Sequence, residues 1–177
     1  FSSINCAFHN FCGVNMKLYV ITDWAGLVPI FVSLSFAVIG LIQLIKTRSL
    51  IKVDADILVL GVYYIAVAGL YLLFEIVPIN FRPILINGFM EASYPSSTTL
   101  LVLSVMPTLV EQISRRCKST KIIMVVRIFT IAFSSFMVLG RLISGVHWCT
   151  DIFASVILSS GMFFIYRGFT LIFSKST

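Results

Sequence analysis

The sequence contains very little charge. Asp, Glu, Lys and Arg make up 11% of its 177 residues, whereas 59% are hydrophobic and the mean hydropathy is +1.04. A soluble domain is about 25% charged, so these few charged side chains cannot cover the surface of a soluble globule. The composition excludes a soluble enzyme, a disordered tail and a secreted disulfide scaffold. It predicts a protein whose solvent is mostly lipid.

Metal-binding motifs are also missing. The four cysteines, at 6, 12, 117 and 149, form no CxxC pair, and the acidic residues form no cluster of the kind that holds a metal. We therefore predict no metal and no other cofactor. In a membrane protein the net charge of +6 reports on orientation in the bilayer. It does not lead us to predict a nucleic-acid partner.

Five stretches are long and apolar enough to cross a bilayer, which takes about 20 largely apolar residues. Their apolar runs are continuous, whereas the strands of a membrane barrel alternate apolar and polar residues. We therefore predict an all-α fold, a polytopic membrane helical bundle with five transmembrane helices. The predicted spans are 24–45, 57–77, 97–110 (to 113 if Glu111 snorkels), 122–139 and 152–173.

Basic residues are concentrated in alternate loops. The segments 46–52 and 115–121 contain seven Lys or Arg, and Lys175 follows the last span. The positive-inside rule predicts that these regions are cytoplasmic. The segments predicted to lie outside carry three cations in all and are 1–23, 82–96 and 140–151.

The first 23 residues are predicted to form a separate outer-face interfacial segment, followed by a membrane domain over 24–177. Apolar residues recur at spacings of three and four in this segment, which indicates a helix lying on the membrane surface; an irregular cap is the alternative. An outside N-terminus, an odd number of spans and a first residue that is Phe1 lead us to expect a fragment that lacks its first helix.

Two of the outer loops contain the residues on which phosphate chemistry depends. Arg82 and Arg141 can bind a phosphoryl group through planar contacts, and Ser96 begins a predicted helix whose free backbone N–H groups favour an anion. His147 supplies a nitrogen nucleophile. Asp151 is four residues further on, so it can orient the imidazole and stabilise its cation. The pattern predicts phosphoryl transfer through a phosphohistidine.

These loops resemble the three-part signature of the type-2 phosphatidic acid phosphatase superfamily. That signature is a Lys, six residues and Arg-Pro; then Pro-Ser-Gly-His; then Ser-Arg, five residues, His, three residues and Asp. The residues at 82–83 and 95–96, together with Arg141, His147 and Asp151, match it in order and spacing. The resemblance covers residues 24–173 and implies a six-helix membrane fold of which the five spans are the second to sixth. It also implies a metal-independent phosphatase whose substrate is a membrane lipid.

Thr98 departs from the signature because it occupies the place of the second-motif His, the catalytic residue expected to protonate the leaving group. Ser97 stands for Gly and Gly140 for Ser. A Thr hydroxyl is a poor acid, and losing a general acid typically costs about 10²–10⁴-fold in rate. The loss matters least when the leaving group is a phosphate, which favours a prenyl diphosphate over phosphatidic acid.

Glu75 is the other departure, since it stands where the superfamily has Lys. An ionisable residue near the end of a membrane helix is a functional candidate. Glu75 is predicted to pair with Arg82 or Arg141, or to donate a proton if burial raises its pKa. Glu91, in the loop that follows, is the other candidate for the donor.

The resemblance implies an integral membrane lipid phosphatase in the bacterial cell membrane. It is expected to act at the extracytoplasmic face on a lipid phosphate or polyprenyl diphosphate. The alternative is a relative that binds or transports phospholipid headgroups without cleaving them, because the acid and the Lys of the signature are both replaced.

Overall fold

The computed structural model describes residues 2–173; Lys175 and the end of the predicted membrane domain lie outside this range. Within it the secondary structure is helical apart from two isolated β-bridges. A short 3₁₀ helix, Leu50–Lys52, separates α3 from α4. The α-helices are α1 Ser2–Cys12, α2 Met16–Ala25, α3 Leu27–Thr47, α4 Ala55–Ile76, α5 Ser97–Arg116, α6 Thr120–Ile143 and α7 Cys149–Phe173.

Four helical segments are long and apolar enough to cross a membrane, which confirms the predicted all-α membrane bundle. They are Met16–Thr47, Ala55–Ile76, Thr120–Ile143 and Cys149–Phe173. The first combines α2 and α3, because Gly26 between them keeps a right-handed helical conformation. At 1.5 Å per residue this segment is about 48 Å long, so it extends beyond a hydrocarbon layer about 30 Å thick. The predicted domain boundary between residues 23 and 24 therefore falls inside α2.

The remaining predicted span is α5, the least apolar of the five long helices. It packs against α3, α4, α6 and α7, and of its twenty residues only Ser114 and Arg116 are exposed. Two hydrogen bonds pair polar groups of α5 with tyrosines of neighbouring helices. The hydroxyl of Tyr63 donates to the backbone carbonyl of Ser104 at 2.9 Å. A second contact of this kind joins the amide of Gln112 to the hydroxyl of Tyr166 at 2.9 Å.

Successive long helices alternate in direction, so the bundle has two ends. At the basic end, Arg116 is the last residue of α5. It pairs with Asp54, just before α4, at 3.6 Å and with Asp56, in the first turn of α4, at 2.8 Å. We call the opposite end the site end. There α1, α2 and the loops at 77–96 and 144–148 come together.

The N-terminal segment packs on the loop that follows α6. The rings of His9 and Trp148 lie 5.7 Å apart, and the backbone N–H of Asn15 donates to the carbonyl of Ser144 at 3.0 Å. Residues 2–12 are helical, and Ile4 and Phe11 on α1 are exposed. The interfacial position of this segment stays a prediction.

Candidate active site

The loop between α6 and α7 holds the third motif in a fixed turn. Gly145 has a φ of +66°, and a Cβ at this position would lie 1.9 Å from the carbonyl oxygen of Gly13. Only glycine fits both the left-handed conformation and the close approach. The turn places Arg141 in the last turn of α6, His147 in the loop and Asp151 in the first turn of α7.

Close packing also explains why Gly140 stands where the signature has Ser. A Cβ at this position would lie 2.7 Å from Cγ2 of Thr22 on α2. An added Cβ would force the side chain of Thr22, or the two helices, to shift. The site end of this chain is therefore built around a close contact between these two helices.

His147 is almost fully buried, at 3% exposure. Its Nδ1 lies 3.1 Å from the backbone carbonyl of Ser93 and 3.9 Å from Oδ2 of Asp151. A carbonyl can only accept a hydrogen bond, so in the neutral ring Nδ1 carries the proton and Nε2 carries a lone pair. Nε2 is buried and has no hydrogen-bond partner, so no protein group occupies its lone pair.

The pKa of His147 is lowered well below its usual value. Burial of the ring is the largest cause, followed by the positive charges of Arg82 and Arg141; the Ser93 carbonyl opposes them. Burial and neighbouring cations both disfavour the imidazolium. The ring is therefore neutral at pH 7 and keeps its lone pair.

Ser93 joins the His and the Asp of the third motif. Its hydroxyl donates to Oδ2 of Asp151 in a short hydrogen bond and lies 3.3 Å from Nδ1 of His147. The backbone N–H of Trp148 donates to the same carboxylate oxygen at 3.0 Å. The indole of Trp148 in turn donates to the carbonyl of Phe81 at 2.8 Å. These bonds tie the two loops of the site end together.

The two predicted phosphate-binding arginines converge on one aromatic ring. The Cζ atoms of Arg82 and Arg141 lie 5.5 and 4.8 Å from the centre of the Tyr19 ring on α2. Cation–π contacts of this kind are worth about 0.5–2 kcal/mol. They offset part of the repulsion between two guanidinium groups, one from the loop after α4 and one from the last turn of α6.

Each arginine also has a carboxylate partner. Nη2 of Arg82 lies 3.1 Å from Glu91, and Nη2 of Arg141 lies 3.2 Å from Asp23 and donates to the hydroxyl of Thr98. Nε and Nη1 of both arginines are buried without a hydrogen-bond partner. Because buried N–H groups are nearly always paired, these four nitrogens indicate a site for an anion.

A cavity of about 280 Å³ opens beside the arginines. Both arginines, Thr98, Glu75 and Glu91 line it. His147, Asp151 and Ser96 are buried and are not part of this lining. Among the ion pairs of the described residues, none joins Glu75 to either arginine.

Ser96, predicted to bind phosphate, lies inside the bundle. Its hydroxyl accepts a hydrogen bond from Thr99 at 3.1 Å, and its backbone N–H donates to the carbonyl of Asp151 at 3.3 Å. These contacts connect the start of α5 to α7. The neighbouring Ser97 and Thr98 face the cavity instead.

A second, more apolar cavity of about 470 Å³ adjoins the first and lies among α3, α4 and α5. The two share five lining residues: Asp23, Tyr71, Ser97, Thr98 and Leu100. The second cavity therefore lies directly beside the one that contains the arginines.

Residues of the site that sequence reasoning missed include Ser93, Tyr19 and Asp23. Asp23 carried a signal, since it is the only acidic residue before Asp54. Ser93 and Tyr19 carried none, because a polar loop residue and an aromatic residue near a membrane surface are both ordinary.

Comparison with known proteins places the chain in a family. The sequence profile described as the PAP2 superfamily matches residues 77–173, more than half of the chain. The chain therefore belongs to the PAP2 superfamily, the group of phosphatases that its loops resemble.

The fold is similar to that of a solved membrane protein. The structure is titled as the first transmembrane PAP2 type phosphatidylglycerolphosphate phosphatase, from Bacillus subtilis. The two chains align with a TM-score of 0.68 and 18% identity over 95% of this chain and 85% of that one. A comparison with curated protein sequences found no match. Family and fold together define a multi-pass membrane protein of the phosphatase class.

Proposed function

We propose that the protein hydrolyses a lipid phosphate through a phosphohistidine on His147. The observation that carries the proposal is the state of the imidazole: Nδ1 is held by the Ser93 carbonyl, and Nε2 has no partner. Beside it, Arg82 and Arg141 each retain two buried nitrogens for phosphoryl oxygens. An imidazole nitrogen without a hydrogen-bond partner, near guanidinium groups whose Nε and Nη1 also lack one, suits in-line attack on phosphorus.

In the proposed reaction, Nε2 of His147 attacks phosphorus while the bond from phosphorus to the lipid oxygen breaks. Arg82 and Arg141 stabilise the charge on the equatorial oxygens. Asp151 stabilises the imidazolium, and water then hydrolyses the phosphohistidine. Because Nε2 is fully buried, substrate binding must open the site locally around this ring.

The leaving oxygen needs a proton unless it departs as a phosphate. We propose that water in the cavity, beside the carboxylates of Glu75 and Glu91, supplies it, and that the hydroxyl of Thr98 donates a hydrogen bond. A prenyl diphosphate would need the least help, because its leaving group is already a stable anion. It therefore belongs to the proposed substrates along with lipid monophosphates.

The apolar cavity suits the lipid chain. We propose that the substrate enters from the bilayer between α3 and α4, with its chain in this cavity and its phosphate beside the arginines. The charge asymmetry of the loops supports a cytoplasmic basic end and an extracytoplasmic site in the cell membrane.

Phosphate release from detergent-solubilised protein tests the proposal on a panel of lipid phosphates and prenyl diphosphates. We expect His147→Ala to abolish release, whereas His9→Ala, the change at the other histidine, retains most of it. Trapping of acid-labile phosphate on the wild type but not on His147→Ala would identify the intermediate. Undiminished release by His147→Ala would overturn the assignment of the nucleophile.

The second candidate function is binding or transport of a phospholipid headgroup without cleavage. The replacement of the expected His by Thr98, whose hydroxyl accepts from Arg141, favours it, because the leaving group then lacks its usual acid. Saturable binding of a lipid phosphate with no release from any substrate would establish this alternative.

A further inference from the structure

The cavity beside the arginines contains more negative than positive charge. Its lining includes two guanidinium groups, of Arg82 and Arg141, and three carboxylates. The carboxylates of Asp23 and Glu91 have side chains that are 55% and 40% exposed, and each pairs with one arginine. Glu75 is exposed at the cavity and has no such pair in the described part of the chain.

Phosphate can bind without breaking these ion pairs. Both carboxylates contact Nη2 of their arginine, whereas the nitrogens without a partner are Nε and Nη1. The side chain of Arg141 is only 1% exposed, so these nitrogens are buried donors within the wall of the cavity. They indicate an anion independently of the carboxylates.

A bound phosphate therefore increases the imbalance of charge. A phosphate monoester carries nearly two negative charges at pH 7, and the three carboxylates remain beside it. Two cations then face five negative charges, and like charges at close range destabilise binding. Among the described residues, no group of three His, Cys, Asp or Glu lies close enough together to hold a metal ion.

We propose that the substrate itself supplies the missing cation: a lipid phosphate monoester whose alcohol carries a protonated amine close to the phosphate. The phosphate binds the free nitrogens of Arg82 and Arg141, and the ammonium lies among the carboxylates of Glu75, Glu91 and Asp23. This inference rests on the proposed phosphatase function. It disfavours a diphosphate, whose second phosphate would lie beside the same carboxylates.

Glu75 is the position at which this chain's departure from the signature reverses a charge. A Lys seven residues before Arg82 would add a third cation and suit a more highly charged headgroup. The carboxylate found here reverses that charge within the same lining. We expect this reversal to set the preference for an aminated substrate.

The test compares a long-chain 2-aminoalkanol 1-phosphate with its N-acetyl derivative, which has the same phosphate and chain but no ammonium. Binding to the His147→Ala protein in detergent measures selection without turnover. We expect the amine to bind about tenfold more tightly, which corresponds to about 1.4 kcal/mol. Equal affinities, or tighter binding of the N-acetyl compound, would overturn the inference.

Charge variants identify the responsible carboxylate. Added to His147→Ala, Glu75→Gln is expected to reduce the affinity ratio about threefold, and Glu75→Lys to abolish it and improve binding of a prenyl diphosphate. Glu111→Gln makes the same chemical change in the pair with Arg115 on α5, away from the cavity lining, and should leave the ratio unchanged. Because the readout is a ratio, a loss of folded protein does not imitate the effect.

The two levels of the proposal fail separately. If the wild type binds the amine preferentially but releases no phosphate, the phosphatase function is wrong and the selectivity stands. If it hydrolyses both compounds with the same kcat/KM, the selectivity is wrong and the phosphatase function stands.

Discussion

The amide nitrogen of Asn5 in α1 donates to the hydroxyl of Thr150 at 2.9 Å, although 145 residues separate them. The amide oxygen of Asn5 accepts from the backbone N–H of Thr150 at 3.3 Å and from the thiol of Cys149 at 2.9 Å. The side chain of Asn5 therefore pairs polar groups at the start of α7. An N-cap residue does the same for its own helix, whereas Asn5 belongs to a different helix. The N-terminal helix thereby supports the turn that carries Asp151.

Replacing Asn5 by Ala should destabilise the protein. Loss of a helix-capping side chain lowers the free energy of unfolding by about 0.5–2 kcal/mol. Here it also removes the hydrogen-bond partners of Cys149 and Thr150 at the start of α7. The thermal unfolding midpoint in detergent is expected to fall by several degrees, with a matching loss of phosphate release. Asn10→Ala on the exposed face of α1 is the control, and an equal loss from both would show that Asn5 has no special role.

Replacing Gly145 by Ala should be more damaging. The added Cβ would meet the carbonyl oxygen of Gly13, and φ is +66°, so both the loop and the N-terminal segment must move. We expect a destabilisation of about 1–3 kcal/mol and loss of activity, measured by thermal unfolding and phosphate release. Gly161→Ala on α7, where an added Cβ meets nothing within 4 Å, should leave both unchanged. Equal behaviour of the two variants would contradict the close contact.

The lowered pKa of His147 predicts how the protein responds to acid. The unfolded chain binds a proton at His147 near pH 6.5, whereas the buried ring in the fold binds it only at lower pH. Between these values the unfolded state holds more protons, so stability falls as pH decreases through this window. Histidine NMR of the His9→Gln protein, which retains a single histidine, should show a neutral ring at pH 6. A titration midpoint at or above 6.5 would refute the prediction.

Tyr19 is expected to position the two arginines through its ring. Tyr19→Leu removes both cation–π contacts and should weaken inhibition by vanadate about fivefold to tenfold, since each contact is worth about 0.5–2 kcal/mol. Tyr19→Phe keeps the ring and should restore most of the affinity. A Phe variant as weak as the Leu variant would show that the hydroxyl matters instead.

The ends of the helices could be predicted from the sequence for those helices that face lipid. The spans predicted at 57–77 and 152–173 agree within a few residues with α4 and α7, because lipid-facing helices are continuously apolar. The end of α5 could not be placed so well. Its last turns contain Glu111 and Arg115, which pair with each other at 2.8 Å. A hydropathy profile counts both as charged residues and cannot show that they are paired within the bundle.

The same distinction applies to the site. The spacing of Arg141, His147 and Asp151 is local, so the sequence contains it. The contact of His147 with Ser93 and the ion pair of Arg141 with Asp23 join segments 54 and 118 residues apart. Contacts of this kind arise only when α2, α5 and α6 pack, and a single sequence carries no pattern for them.

The position of α5 has a consequence for how the protein is made. A helix with so little surface toward lipid gains little by partitioning into a bilayer alone. We therefore expect α5 to enter the membrane together with the helices that bury it. Since Thr98 lies in the first turn of α5, we expect the cavity at the site end to form only when this helix packs against its neighbours.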